Sequence, residues 1–328
     1  MQFVQADPIK APARAQDLIL RHRVNSYRAG DLDQLYPTLD VEEDFFINYG
    51  FVTSSLQTLM HPRTPTARGQ RKRADTLLEF VRARGEVHPR QVNDYFSHGQ
   101  VTNYWGGSSN ATTHLMDEMQ YRGLLRVVRR EKGIRIYAAR AHETAPIDKA
   151  ERERRIDALV DAILRIYAPL TSSSLSYYVR RLRYAAPQWA TQMANALQRA
   201  KERLSHARVG AIDWYWPAGE KLQMKDPPEV VRCLAPFDPV VHDRARFKLF
   251  WDWEYRLEAY TPVPKRKLGY YALPLLWRDR AIGWGNLAVR DGRLNCDFAY
   301  VAGAPRDADF KRELEAEVER MKRFLGCE

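Results

Sequence analysis

Residues 109–140 read SNATTHLMDEMQYRGLLRVVRREKGIRIYAAR, and the change of period within this stretch decides the fold. Up to Gly123 the apolar positions Leu115, Met116 and Met119 share a helical face, and Gly123 stands where a C-cap belongs. Beyond it two short β-rich runs flank a Lys132-Gly133 turn, the signature of a hairpin. Two more helical patterns precede this one. ADTLLEFVRARG (74–85) spaces Leu77, Leu78 and Val81 helically and stops at Gly85. PRQVNDYF (89–96) opens on a proline at a favoured first position, and a loop with Gly106 and Gly107 follows it. Three helices and a basic hairpin make the pattern of a winged helix.

In such a unit the start of the third helix meets base edges, so Asn110, Thr112 and His114 are candidate DNA contacts, with Asn103 and Thr113 beside them. Arg129, Arg130 and Lys132, with Arg126 and Arg135, load the hairpin with charge suited to phosphates. The pattern recurs downstream. AERERRIDALVDAILRIYAPL (150–170) is periodic, TSSSLSYYVRRL (171–182) opens on N-capping residues, and a third helix is expected over 186–207. VGAIDWYWPAG (209–219) alternates like a strand, and Arg180, Arg181 and Arg183, with Arg199, Lys201 and Arg203, make this unit as basic as the first. From about Val230 short β-type runs take over, separated by Pro, Gly and Asp turns, and 307–326 forms an amphipathic closing helix.

The expected fold class is therefore α+β: tandem winged-helix domains, then a small antiparallel β module, sheet or barrel-like, with a C-terminal helix. Residues 1–68 are taken as a shortened first unit, 69–145 and 146–228 as winged helices, and 229–328 as the β module. HPRTPTARGQRKR (61–73) reads as a linker.

A chain of 328 residues is too long for one ordinary core, and 45% hydrophobic residues exclude general disorder. Lys and Arg outnumber Asp and Glu by 52 to 41, and the resulting +11 suits a polyanionic partner. No run approaches the ~18–20 apolar residues of a membrane span, and Asp7 interrupts the place where a signal peptide keeps its apolar core. Cys233, Cys296 and Cys327 form no CxxC pair and fit a reducing compartment. A cytoplasmic protein without metal or cofactor is the expectation. GxSxG, Walker and HExxH motifs are absent, and GWGNLA (283–288) lies in a β run, where strand packing accounts for its glycines. Trp251, Trp253, Tyr255, Tyr260, Tyr270 and Tyr271 are expected mostly in the core rather than stacked on bases.

FVQADPI (3–9) holds one further constellation. Pro8 biases Asp7 towards an extended conformation, in which Gln5 and Asp7 project to one face. A carboxylate beside an amide can hold a water, the first accepting its proton and the second orienting its lone pair. A Gln-x-Asp before proline is more often simply a turn.

The block CLAPFDPVVHDRARFKLFWDWEYRLEAYTPVPKRKLGYYALPLLWRDRAIG (233–283) closely resembles the matching segment of the YcaQ/AlkZ-like winged-helix proteins, bacterial DNA glycosylases acting on N7-alkylated purines and, in one branch, on interstrand crosslinks. FVQADPIKAPARAQ (3–16) resembles that family's catalytic Gln-x-Asp or Gln-x-Gln segment. The resemblance implies that Gln5 and Asp7 form the catalytic pair of a metal-free, monofunctional glycosylase on double-stranded DNA. It implies a nucleoid-associated monomer and adds Asn48, Lys265 and Arg266 to the DNA-contacting candidates. Two departures stand out. The family has some tens of residues ahead of the catalytic segment, whereas Met1 here stands four residues before Gln5; either the start is placed too late or the first unit is shortened, and a shortened unit should expose apolar surface within 1–60 or be poorly ordered. Characterised branches also carry Trp-x-His where this chain reads Phe46-Ile47-Asn48, and an amide takes no proton near neutral pH. A winged-helix regulator without enzymatic activity, and a protein–protein scaffold, are the competing readings.

Overall fold

Asn110 ends a short strand and caps a helix, its Oδ1 accepting from Thr112 N at 2.8 Å and Thr113 N at 3.2 Å. The helix Ala111–Arg122 stops at Gly123, whose φ of 81° is left-handed. The computed structural model containing it describes residues 1–63, 68–96, 99–102, 108–140, 147–221 and 225–327. Asn103, Gly106 and Gly107 lie outside those residues, as does part of the 61–73 stretch.

The fold is mixed α+β, with antiparallel sheets. Helices Arg68–Arg84, Pro89–Tyr95 and Ala111–Arg122 pack on a hairpin of Leu125–Glu131 and Ile134–Ala139, joined by Glu86–Val87 as a third strand. Leu77, Val81, Val92, Met116, Met119 and Val127 form its buried centre. The expected linker is corrected here. Its helix begins at Arg68, and His61 and Arg63 are buried at 2% and 3% exposure because both bind the buried carboxylate of Asp44.

Helices Lys149–Tyr167, Ser172–Ala185 and Met193–Arg203 form the second helical set, covered by the hairpin Ser205–Val209/Ile212–Trp216. The helix expected over 186–207 is shorter at both ends. A 3-10 turn occupies Pro187–Gln192, and Ser205–Val209 is drawn into strand pairing. The C-terminal module is an open four-stranded meander of Val231–Cys233, Leu273–Trp277, Arg280–Arg290 and Arg293–Tyr300, not a barrel. The helix Ala308–Leu325 covers it through Phe310, Met321 and Phe324. Of the run 230–241 read as β-type, only Val231–Cys233 is a strand, because Asp238 caps the helical turn Pro239–His242; residues 255–262, also read as β-type, are irregular, and Asp243 caps the helix Arg244–Trp251. Trp253, Tyr255 and Tyr271 are buried as expected, whereas Tyr260 and Tyr270 are exposed.

Residues 3–53 join these bodies. Strands Phe3–Gln5, Tyr49–Thr53 and Val41–Phe45 form one antiparallel sheet with the middle strand of the chain order at its edge. Phe3 enters the core of the second helical set, Val4 that of the C-terminal module, and Phe51 that of the first set. The apolar exposure expected of 1–60 is confined to scattered residues such as Val24, Leu35 and Leu39, while Phe3, Phe46, Ile47, Val52 and Leu56 are fully covered.

Candidate active site

Gln5 ends the first strand opposite Gly50. A Cβ on Gly50 would lie 2.2 Å from the Val4 carbonyl oxygen, so only glycine lets the Gln5 strand approach this closely. Asn48 occupies the turn that precedes Gly50, between Val41–Phe45 and Tyr49–Thr53. Its neighbours Phe46 and Ile47 are completely buried and pin the turn; removing a buried Phe side chain typically costs about 3–5 kcal/mol.

The side chains form a directed chain. Arg181, on the helix Ser172–Ala185, donates through Nη2 to Asn48 Oδ1 and through Nε to the Ile47 carbonyl at 3.0 Å. A guanidinium has donors only, so the oxygen of Asn48 must face it. Asn48 Nδ2 then faces Gln5, donating to Oε1 at 2.8 Å. The same logic fixes Gln5: its oxygen is engaged and its Nε2 hydrogens remain to serve a ligand. Gln5 is 8% exposed, so this amide sits at the floor of the site.

Asp7 lies two residues on and is half-buried. Its Oδ1 accepts from the Ile9 N–H at 2.9 Å, which leaves Oδ2 without a protein donor among the described residues. Burial raises its carboxyl above the usual range, and the Ile9 N–H only partly opposes this. Burial first, and then the charge of Asp7, push the phenol of Tyr271 in the C-terminal module above its ordinary range. Two residues from that module and the second helical set close the other side: His242 Nε2 is 3.5 Å from Asn48 Nδ2, and His242 Nδ1 is 2.7 Å from Tyr178 Oη. Neither was a sequence candidate. His242 is 194 residues from Asn48, and no spacing rule connects them.

The DNA-contacting candidates are scattered by comparison. Asn110 is used as a helix cap, and its Nδ2 donates to Asn93 Oδ1 at 2.5 Å. Thr112 is corrected: it is fully buried and gives its hydroxyl to the Phe96 carbonyl at 2.9 Å, so it faces the core. His114 is exposed on the same helix. Arg129 pairs with Glu86 and Glu131, and Arg130 clasps the buried Glu43 at 2.8 and 2.5 Å. Lys132, at the hairpin tip, is exposed. On Ser172–Ala185, Arg180 is exposed, Arg181 turns inward to Asn48, and Arg183 bonds Tyr184 Oη at 2.9 Å. Lys265 is exposed, whereas Arg266 bonds the Thr261 carbonyl at 2.8 Å and lies over the Tyr270 ring.

An amide with its donors presented, a half-buried carboxylate with one oxygen open, and a lining drawn from the first sheet, the second helical set and the C-terminal module define a candidate active site. The chain matches the family described as DNA glycosylase AlkZ-like over residues 1–324 and belongs to it. That family places it among the DNA glycosylases, repair enzymes whose substrate is DNA. No solved structure matches the chain. Among the described residues no helix is long and apolar enough to cross a membrane.

Proposed function

We propose that the protein is a monofunctional glycosylase that releases N7-alkylated or crosslinked purines from duplex DNA, with Gln5 and Asp7 as its catalytic pair. The observation that carries this reading is the fixed direction of the Arg181–Asn48–Gln5 chain beside the open oxygen of Asp7. An N7-alkylpurine is cationic and leaves readily, so the site needs little acid catalysis. A water between the two side chains accepts one hydrogen bond from Gln5 Nε2 and donates one to Asp7 Oδ2. Its free lone pair attacks C1′ of the sugar. The glycosidic C–N bond breaks with its electron pair going to the purine, which neutralises the ring, and the water proton passes to Asp7. The ionised Asp7 also stabilises the oxocarbenium-like sugar as positive charge develops on it.

In this reading 69–145 and 146–228 act as winged helices that grip the backbone on either side of the site. The seam location supports an open site, which suits a base that a crosslink prevents from swinging into a closed pocket.

The test is base release from a duplex carrying N7-methylguanine, comparing wild type with Asp7→Asn at saturating enzyme. The expected loss is about 10²–10⁴-fold, the usual contribution of a positioned general base, with duplex affinity unchanged. Release that is equally fast in Asp7→Asn, or absent in wild type, overturns the proposal.

A further inference from the structure

The chain that orients Gln5 does not end at Asn48. Asn48 Nδ2 carries two hydrogens: one points to Gln5 Oε1 at 2.8 Å, and the other faces His242 Nε2 at 3.5 Å. Because a donor faces it, Nε2 must present its lone pair, and the ring proton belongs on Nδ1. Nδ1 lies 2.7 Å from Tyr178 Oη, which accepts that proton. The opposite tautomer would set two N–H groups against each other at Asn48.

We infer that His242 is a positioning residue for the reaction at Gln5, holding the Asn48 amide, and through it the Gln5 amide, from the far end of the chain. The inference rests on the reading of Gln5 given above. A ring that only filled space would not need a nitrogen aimed at the Asn48 amide, and here Nε2 faces it while the Tyr178 hydroxyl, able to donate or accept, serves Nδ1.

The support behind the ring is rigid. Tyr178 is fully buried and stacks on Tyr167 at 4.6 Å between centroids. His242 ends the turn Pro239–His242, whose cap Asp238 accepts from Val240 N at 3.0 Å while gripping Arg23 at 2.7 and 2.9 Å. The groups facing the ring are the phenols of Tyr167 and Tyr178 and the guanidiniums of Arg181, Arg244 and Arg246. Burial first, and then those three cations, hold the imidazole down to about 3, so it stays neutral. A protonated ring would carry a hydrogen on Nε2 and push Asn48 away. Neutrality keeps the chain in one state throughout the working pH range.

Two measurements test the assignment. In protein labelled with 15N-histidine, the His242 ring should show Nδ1–H with a bare Nε2 from pH 5 to 9; an Nε2–H tautomer or a titration in that interval overturns it. Single-turnover base release is then measured for His242→Phe, for His242→Gln as the conservative replacement that returns an acceptor, and for each in a Gln5→Ala background. Misplacing a reacting group by about 1 Å commonly costs up to 10²-fold, so His242→Phe should lower the rate at least tenfold with duplex affinity unchanged. His242→Gln should recover part of that loss, and neither substitution should matter once Gln5 is gone. Equal losses in both backgrounds mean a purely structural ring and overturn the inference while leaving Gln5 in place. A rate indifferent to Gln5→Ala overturns the reading of Gln5 and the inference together. Should His242→Phe fold poorly, Tyr178→Phe removes only the phenol oxygen, and retention of the Nδ1–H tautomer and full rate in that variant counts against the chain.

Discussion

At Asp7 two effects oppose each other. Removal from water penalises the carboxylate, the Ile9 N–H favours it, and the penalty is the larger, so the carboxyl is raised above its ordinary value of 3.8. A raised value makes a better proton acceptor at neutral pH. The sign follows: base release should fall as the solution is acidified, with a midpoint above 3.8, and level off towards neutrality. His242 should add no limb of its own, because it is held near 3. A pH profile of single-turnover release, corrected for spontaneous depurination, checks this. A midpoint at or below the ordinary carboxylate value would show that Asp7 is not the titrating base. Of these residues, Gln5 and Asp7 were legible in the sequence only through the resemblance, since a Gln-x-Asp before proline is by itself commonplace. Arg181 was legible as a charge but assigned to DNA, and its hydrogen bond to Asn48 shows that it looks inward. His242 was illegible, because its role exists only once the C-terminal module is folded against the first sheet.

The element that carries Asn48 is the hairpin 41–53, and beneath it lies a buried ionic cluster. Asp44 accepts from Arg63 Nη1 at 2.7 Å and Gln57 Nε2 at 3.3 Å, and His61 Nε2 is 2.8 Å away. Arg63 also donates to the carbonyls of Phe45, Tyr121 and Ala185, tying the hairpin to both helical sets. Burial alone would raise the Asp44 carboxyl, but Arg63 and His61 outweigh it and bring it down to about 2. A carboxyl lowered in the fold adds stability that is present above 3.8 and is lost as pH falls through about 2. Asp44→Asn leaves Arg63 without its counter-ion, and breaking a buried pair costs about 3–5 kcal/mol. Urea unfolding at neutral pH should show that loss, and the gap from wild type should narrow on acidification; an unchanged midpoint would mean the cluster contributes nothing. Strong periodicity made the body of a helix legible, as with the buried face Leu115, Met116 and Met119 and the stop at Gly123, whereas Asn110 was read as a base contact and is the helix cap. The stretch 61–73 was not, because Pro, Arg and small polar residues suggest a linker whenever their partner carboxylate lies elsewhere in the chain. The helical turns at 239–251 were missed for a related reason: apolar, aromatic-rich runs this short fit strand and helix alike, and the caps Asp238 and Asp243 decided between them.

Across the whole molecule, the net charge of +11 suggested a polyanion, but net charge does not say which cations face it. Many arginines are matched internally: Arg21 with Glu317, Arg23 with Asp238, Arg63 with Asp44, Arg130 with Glu43, and both Arg126 and Arg140 with Glu42. These pairs fasten the sheet of residues 3–53 to the bodies around it, so much of the hairpin charge that looked like a phosphate clamp holds the protein together. Lys132, Arg180 and Lys265 are among the exposed cations that have no carboxylate partner among the described residues, so they are available to displace counterions from DNA. The two classes should separate in a salt titration of duplex binding. Removing a cation that touches a phosphate lowers the slope of log K against log salt by about 0.9 without changing stability. Arg180→Ala, Lys132→Ala and Lys265→Ala should each behave this way. Arg130→Met should leave the slope intact and instead lose about 3–5 kcal/mol of folding stability, because it strands the buried Glu43. If Arg130→Met flattened the slope as Arg180→Ala does, the hairpin would have to release Glu43 to bind DNA, and the sheet carrying Gln5 would loosen as it did so. An unchanged slope keeps that sheet, and the orientation of Gln5 with it, fixed before the substrate arrives.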